Sequence, residues 1–194
     1  MDIGVWGDSI VYGSCDQEGL GWVGRLRKKI TPNEDRTAVY NRGICGDTTK
    51  DLLARFPVEF SSIKPDVVVF AIGINDSGYR QEKSNNVVPL EEAKSNFRKL
   101  IDTAKTSAQK VVAIGLTKVT ELLVSPLPGS STEKSFSNDL IQTYNQELKA
   151  VAETANIAYL DVYELLGEDD LADGIHPNAQ GYEKLYAAIS AFLK

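Results

Sequence analysis

The single histidine of the chain, His176, lies in the segment Asp173-Gly174-Ile175-His176-Pro177. Histidine takes up and returns a proton near neutral pH, so any general-base chemistry by an imidazole must use this residue. A glycine between the two residues lets the backbone turn, so the Asp173 carboxylate can reach Nδ1–H and leave Nε2 free as the base. The motif predicts a carboxylate–imidazole pair. The alternative is a lone histidine satisfied in a loop or at a helix start.

A serine near the other end of the chain is the candidate nucleophile. Ser9 follows a short apolar run and lies in Gly7-Asp8-Ser9. A neighbouring imidazole can turn such a weak hydroxyl into a nucleophile for a carbonyl carbon. The chain order serine, aspartate, histidine is that of α/β-hydrolases, but the second glycine of their G-x-S-x-G turn is missing. Taken alone, the tripeptide is also ordinary turn material.

Two further residues are candidate donors to the oxyanion that acyl transfer creates. Asn75, in Gly73-Ile74-Asn75-Asp76, offers a side-chain NH₂ group, and Gly43 offers a backbone N–H that no side chain shields. Each has an alternative interpretation when taken singly. Asn75 is equally suited to a turn in which its side chain bonds to its own backbone, and Gly43 to a turn with positive φ.

Alternating strands and helices must position these residues. Short apolar or β-branched runs predict five strands, at 3–6, 37–41, 66–72, 110–116 and 157–160. Apolar residues at helical spacing predict helices at 19–30, 48–56, 90–104, 137–155 and along 182–192. This alternation predicts an α/β fold with a parallel sheet and right-handed crossovers.

The predicted sheet brings the candidate residues together. Ligands of open parallel sheets bind beyond the carboxyl ends of the strands. Ser9, Gly43, Asn75 and the loop of His176 each follow a predicted strand, so we expect them to converge at one edge. The segment 117–135 shows no clear period and forms either a lid or a surface loop.

Composition limits the class of protein and its partners. With 194 residues, 42% of them hydrophobic and 25% charged, the chain is typical of a globular protein with one domain, 1–194. Its net charge of −6 and its scattered Lys and Arg argue against nucleic acid as a partner. No basic N-terminal segment and no long apolar run occur, which predicts a cytoplasmic protein without integral membrane association. Composition does not predict the oligomeric state.

The two cysteines, Cys15 and Cys45, form neither a disulfide framework nor a cluster with metal-ligand spacing, so we expect free thiols. Cys15 lies six residues after Ser9, and Cys45 lies two residues after Gly43. Two alternatives are open for the thiols. They lie near the mouth of the site, or they are small buried hydrophobic side chains.

Four ordered blocks of the chain resemble those of the SGNH hydrolases, also called GDSL-like esterases and lipases. Gly7-Asp8-Ser9-Ile10 resembles the first block, with Ile in place of the usual Leu. Asn41-x-Gly43-x-x-Gly46-x-Thr48 and Gly73-Ile74-Asn75-Asp76 resemble the second and third, and Asp173-Gly174-Ile175-His176-Pro177 matches the last. The resemblance covers the whole chain.

The resemblance implies a flavodoxin-like three-layer α/β/α fold with a five-stranded parallel sheet in the order 2-1-3-4-5. It also implies acyl transfer to water through an acyl-serine intermediate, with no metal and no cofactor. By matching position, Ser9 is the nucleophile, His176 the base and then the acid, and Asp173 the residue that orients it. The implied oxyanion hole consists of the backbone N–H of Ser9, the N–H of Gly43 and the side chain of Asn75. Asp8 is implied to brace the first loop.

One alternative from another class is a phosphoacceptor receiver domain, in which Asp8, Asp76 and Thr117 would form the acceptor site. The sequence disfavours it, because the fifth predicted strand ends in Leu160-Asp161-Val162 without a lysine, and the acid pair expected after the first strand is a single residue. A flavin protein of this fold is also disfavoured, since no phosphate loop rich in Ser and Thr follows the first strand.

Another alternative is a metal-assisted phosphoesterase that uses Asp8, Asp76, Asp173 and His176. One histidine makes a poor transition-metal site, although Mg²⁺ would need only carboxylates. Within the ester hydrolases, we expect a small-molecule ester with a short acyl group, acetyl favoured. A lysophospholipase or a thioesterase remains the alternative.

Overall fold

The computed structural model describes residues 1–30 and 37–194. This part of the chain contains eight strands and eight α-helices. The strands are β1 (Ile3–Gly7), β2 (Val39–Gly43), β3 (Val67–Ala71), β4 (Tyr79–Arg80), β5 (Glu82–Asn86), β6 (Lys110–Ile114), β7 (Lys134–Ser135) and β8 (Ala158–Leu160). The helices are α1 (Ser9–Tyr12), α2 (Gly21–Ile30), α3 (Thr49–Ile63), α4 (Ile74–Ser77), α5 (Leu90–Ala104), α6 (Glu121–Val124), α7 (Asn138–Thr154) and α8 (Ala179–Leu193).

Five strands form the predicted parallel sheet, in the spatial order β2-β1-β3-β6-β8. When only these five are numbered along the chain, the order is 2-1-3-4-5, as predicted. The run Val67–Phe70 explains why β3 is central, since an apolar residue at every position suits a strand covered on both faces. All five residues of β1 are likewise buried.

Helices cover both faces of this sheet, which makes the three layers. On one face α3, α5 and α7 bury Leu52, Phe56, Phe60, Phe97, Leu100, Ile101, Leu148 and Ala152. On the other face α2 and α8 bury Trp22, Val23, Leu26, Tyr182, Leu185 and Ile189. None of the helices in the two described segments is long and apolar enough to cross a membrane.

Helix α3 extends further than the sequence predicts, because Pro57 lies inside it rather than ending it. Proline removes one backbone hydrogen bond from a helix. The turn that follows is nevertheless retained, since it carries Phe60, whose ring stacks on Phe56 at 5.1 Å and approaches the edge of Trp6. The helix begins after an N-cap, Thr48, whose side chain accepts from Asp51 N–H.

A second, antiparallel sheet of three short strands, in the order β5-β4-β7, was not predicted. It includes the end of the segment 117–135, which therefore has secondary structure of its own in α6 and β7. Backbone hydrogen bonds also attach this segment to its neighbours. Phe136 N–H donates to the Val124 carbonyl at 3.1 Å, and Thr120 N–H donates to the carbonyl of Gly174 at 2.8 Å. The second bond ties this segment to the loop of His176.

Candidate active site

The structure joins Ser9, His176 and Asp173 by hydrogen bonds at the carboxyl edge of the parallel sheet. His176 Nε2 lies 2.8 Å from Ser9 Oγ, and His176 Nδ1 lies 2.7 Å from Asp173 Oδ2. Ser9 is the first residue of α1, directly after β1, and Asp8 caps that helix by accepting from Ile10 N–H at 2.9 Å. The cap fixes the start of the helix and thereby the position of the hydroxyl.

The loop of His176 is shaped by the same aspartate that contacts the imidazole. Asp173 Oδ1 accepts from the N–H groups of Ile175 at 3.1 Å and of His176 at 2.8 Å. Gly174, which follows Asp173 in the chain, has φ of 92°. Burial disfavours the charged carboxylate, but hydrogen bonds from His176 and from the loop outweigh it and hold the pKa of Asp173 below its ordinary value. An ionised Asp173 only accepts, so Nδ1 carries the imidazole proton and Nε2 is the acceptor that faces Ser9.

Asn75 lies in α4, after Gly73, whose φ of 129° only glycine adopts easily. Its side chain is buried and held at both ends. Nδ2 donates to the Asp47 carbonyl at 3.0 Å, and Oδ1 accepts from Lys134 Nζ at 2.9 Å. The alternative interpretation of Asn75 as a turn residue bonded to its own backbone is therefore wrong, since both partners are distant in the chain.

The predicted role of Gly43 as an oxyanion donor is contradicted, because its N–H already donates to Asn41 Oδ1 at 2.9 Å. Gly43 also lacks the positive φ of a turn glycine. Its small size serves packing instead. A Cβ at Gly43 would lie 2.2 Å from Tyr12 N and 2.7 Å from the Asp8 carbonyl oxygen, so glycine lets α1 lie directly against β2.

The next glycine of the same block, Gly46, was not among the predicted oxyanion donors. It has φ of 85°, and no atom lies within 4 Å of where its Cβ would be. Its N–H donates to no acceptor in the described residues. Arg55 holds this loop by donating to Asp47 Oδ2 at 2.7 Å and to the Gly7 carbonyl at 3.2 Å. The signal was present in the spacing Asn41-x-Gly43-x-x-Gly46.

Two buried carboxyl groups, Asp8 and Asp76, lie behind the site. Burial raises the pKa of each to about 7. Asp76 accepts from Thr49 N–H at 3.0 Å and from Thr49 Oγ1 at 2.5 Å, which joins α4 to the start of α3. Asp8 caps α1 and has no contact with His176. Both carboxyl groups are thus placed to brace the loops of the site, as predicted for Asp8.

Both cysteines are free and exposed, so the alternative of small buried hydrophobic side chains is wrong. Cys15 Sγ lies 3.5 Å from Asp173 Oδ2, and Cys45 Sγ lies 3.2 Å from the hydroxyl of Ser14. Burial and the Asp173 carboxylate raise the pKa of the Cys15 thiol. Cys15, Asp173 and His176 are also the one group of three potential metal ligands within 4.8 Å in the described residues. A metal ion bound to the imidazole there would have to replace one of its two hydrogen bonds.

The three-layer fold and the hydrogen bonds from Ser9 through His176 to Asp173 match the arrangement that the resemblance to ester hydrolases implies. The model of the GDSL-like lipase/acylhydrolase family matches residues 5–184, and the chain belongs to this family. This membership decides against the receiver-domain interpretation.

Individual relatives are similar over different lengths. A multidomain esterase of Ruminococcus flavefaciens is 33% identical over 125 residues, which cover 62% of this chain and 14% of that protein. An acetylxylan esterase of Geobacillus stearothermophilus is 23% identical over 94% of this chain and 78% of its own length. The crystal structure of the lipase/acylhydrolase of Enterococcus faecalis superposes with a TM-score of 0.75 at 26% identity, over 99% of this chain and 94% of that one.

Proposed function

We propose that the protein is a serine esterase that hydrolyses a short acyl ester, acetyl favoured, through an acyl-serine intermediate and without a metal. The observation that carries the proposal is the continuous set of hydrogen bonds from Ser9 Oγ through His176 to Asp173, with lengths of 2.8 and 2.7 Å. These lengths already meet the requirement that a general base be within hydrogen-bond reach of the proton it removes.

Each group then has a defined step. Ser9 Oγ forms a bond to the ester carbonyl carbon while its proton passes to His176 Nε2, and Asp173 stabilises the imidazolium. The tetrahedral intermediate collapses by breaking the bond to the alcohol, which leaves with the proton of His176. Water then attacks the acyl-serine while His176 Nε2 accepts its proton. The carboxylic acid is released, and the hydroxyl of Ser9 is regenerated.

The negative charge of the tetrahedral intermediate needs fixed donors. We assign this role to the N–H groups of Ser9 and Gly46 and to the Asn75 side chain. The assignment of Gly46 in place of Gly43 is supported by the bond that occupies Gly43 N–H. Nδ2 of Asn75 has two hydrogens and uses one on Asp47, which leaves the other for the oxyanion. Loss of one such donor costs about 3–4 kcal/mol of transition-state stabilisation.

The acyl group is the least constrained part of the proposal. A short acyl group is supported by the relative named an acetylxylan esterase. Rates on p-nitrophenyl esters with two to sixteen acyl carbons, together with a lysophospholipid and an acyl thioester, separate this activity from those of a lysophospholipase and a thioesterase. A maximum at long acyl chains would reject the short-chain assignment.

The test of the mechanism is Ser9→Ala. We expect turnover of p-nitrophenyl acetate to fall by about 10⁴-fold or more, since the covalent route is lost, and labelling by an organophosphate reagent to disappear. Ser14→Ala is the matched control, because Ser14 is a nearby serine whose hydroxyl contacts Cys45 rather than His176. Continued labelling of another serine in Ser9→Ala would reject the assignment. Loss of wild-type activity in EDTA would favour the metal-assisted alternative.

A further inference from the structure

The orientation of the Asn75 amide is set by its two partners. Lys134 Nζ lies 2.9 Å from Oδ1, and the Asp47 carbonyl lies 3.0 Å from Nδ2. An ammonium group can only donate and a carbonyl oxygen can only accept, so the reversed amide would face like partners at both ends. The lysine therefore determines which side of Asn75 carries the N–H groups.

Lys134 reaches Asn75 from the small antiparallel sheet, not from the layer that carries the other site residues. It lies on β7, opposite Arg80 of β4. Its aliphatic stem lies over Gly78, where a Cβ would be 3.0 Å from Lys134 Cδ, and its Nζ is 5.1 Å from the centre of the Phe136 ring. The stem is thus confined on its way to the amide, and the small sheet fixes where the charge is placed.

The surroundings of the Lys134 ammonium act on its charge in opposite directions, with a net lowering of its pKa. Burial lowers the pKa of Lys134, and Arg80 acts in the same direction, while the Asp8 and Asp76 carboxyls act against both. A positive charge bonded to Oδ1 also polarises the amide and strengthens Nδ2–H as a donor, since hydrogen bonds in series reinforce one another.

We propose that Lys134 is a positioning residue for ester hydrolysis, which holds the Asn75 amide with its nitrogen toward the oxyanion of the transition state. The inference rests on the proposed function, because it acts through Asn75 as an oxyanion donor. It gives the small sheet a role in the reaction. The oxyanion hole then depends on a side chain outside the four sequence blocks.

The test uses the full chain with Lys134→Met, which keeps most of the stem and removes the donor and the charge. We expect kcat for p-nitrophenyl acetate to fall by about 10-fold to 100-fold, less than the loss of about 10²–10³ on removing an oxyanion donor outright. KM should change by less than about twofold, because the contact matters when charge develops on the substrate. Lys134→Arg keeps a cationic donor and should lose less than Lys134→Met.

The matched control is Lys83→Met. Lys83 lies on β5 of the same sheet but pairs with Asp139 at 2.8 Å, away from Asn75. Its replacement should therefore leave kcat unchanged. Gly78→Ala provides a second route, because its new Cβ would lie 3.0 Å from Lys134 Cδ and 3.2 Å from Phe136 Cε1, so the Lys134 stem must shift slightly while the ammonium is kept. It should also lower kcat at constant KM, and it serves as the decisive variant if Lys134→Met fails to fold in a urea unfolding assay.

A double-mutant cycle with Asn75→Ala distinguishes the possible failures. If Lys134 acts through the amide, Lys134→Met should lower kcat by less than about twofold further in the Asn75→Ala background. If Lys134→Met lowers kcat as much in the Asn75→Ala background as in the wild type, the inference is overturned. An unchanged kcat in Lys134→Met would also overturn it. Where Lys134→Met fails to fold, an unchanged kcat in Gly78→Ala would do the same. Full activity of Asn75→Ala itself would instead reject the oxyanion hole of the proposed function.

Discussion

The Asp8→Asn variant is expected to be more stable than the wild type at alkaline pH. Burial raises the pKa of Asp8 from 3.8 to about 7. An asparagine keeps the cap of α1, because its Oδ1 can accept from Ile10 N–H as the carboxylate does at 2.9 Å. The substitution therefore removes the titration of a buried acid while it retains the local structure that the acid supports.

The magnitude follows from the two pKa values. Below pH 3.8 the carboxyl is protonated in both the folded and the unfolded chain, and it favours neither. Between 3.8 and about 7 the folded chain holds a proton that the unfolded chain has released, so stability falls as pH rises, by up to about 1.4 kcal/mol per pH unit. Above pH 7 the full penalty of about 4 kcal/mol applies to the wild type and is absent in Asp8→Asn.

Urea unfolding of both proteins at pH 5 and pH 8 measures this effect. The stability advantage of Asp8→Asn should be about 3 kcal/mol larger at pH 8 than at pH 5, since about two pH units of titration separate the two conditions. Asp102→Asn is the control for the loss of one surface carboxylate, because Asp102 is exposed in its ion pair with Arg98 and should change stability by less than about 1 kcal/mol. An Asp8→Asn advantage of equal size at both pH values would refute the buried titration.

Four further predictions concern the site and the glycine that packs beside it. We expect His176→Gln to keep only residual activity, because the chain has no other imidazole to accept the proton of Ser9, and full activity of that variant would identify a carboxylate as the base. Asp173→Asn should keep the fold but lower kcat by about 10³–10⁴-fold. A bulky maleimide should inhibit hydrolysis by modifying Cys15, because Cys15 Sγ lies 3.5 Å from Asp173 Oδ2. The activity of Cys15→Ser should therefore be insensitive to the reagent, and that of Cys45→Ser should remain sensitive. Complete modification of Cys15 without inhibition would contradict this. Gly43→Ala should lower the free energy of unfolding, measured in urea, by about 3 kcal/mol, because the new Cβ would lie 2.2 Å from Tyr12 N. A loss below about 0.5 kcal/mol would show that α1 moves to make room for the methyl group.

The parallel sheet and its covering helices were predictable because burial leaves a strong pattern in the sequence. Every residue of Val67–Phe70 is apolar, which indicates burial on both faces. The small sheet leaves no such pattern. Its strands β4 and β7 have two residues each, and β5 is polar throughout in Glu82–Asn86 and mostly exposed. Short polar strands are determined by the neighbours they pair with, so only tertiary structure reveals them.

The candidate site was predicted except where neighbouring backbone decides the outcome. Ser9, Asp173 and His176 lie together because they follow strands whose ends share one edge. The distinction between Gly43 and Gly46 depends on how closely α1 approaches β2 and on where the Asn41 side chain turns. The contact of Lys134 with Asn75 spans 59 residues, and Lys134 lies in no motif, so the sequence contains no local signal for it.

The hydroxyl and the imidazole that meet at 2.8 Å are 167 residues apart in the chain. During synthesis Ser9 is made before His176, and without its base it is an ordinary alcohol that does not attack esters. The reactive pair forms only when the sheet is complete and the His176 loop is anchored at its edge. Incompletely folded chains therefore do not cleave esters, and ester cleavage is a sensitive reporter of complete folding.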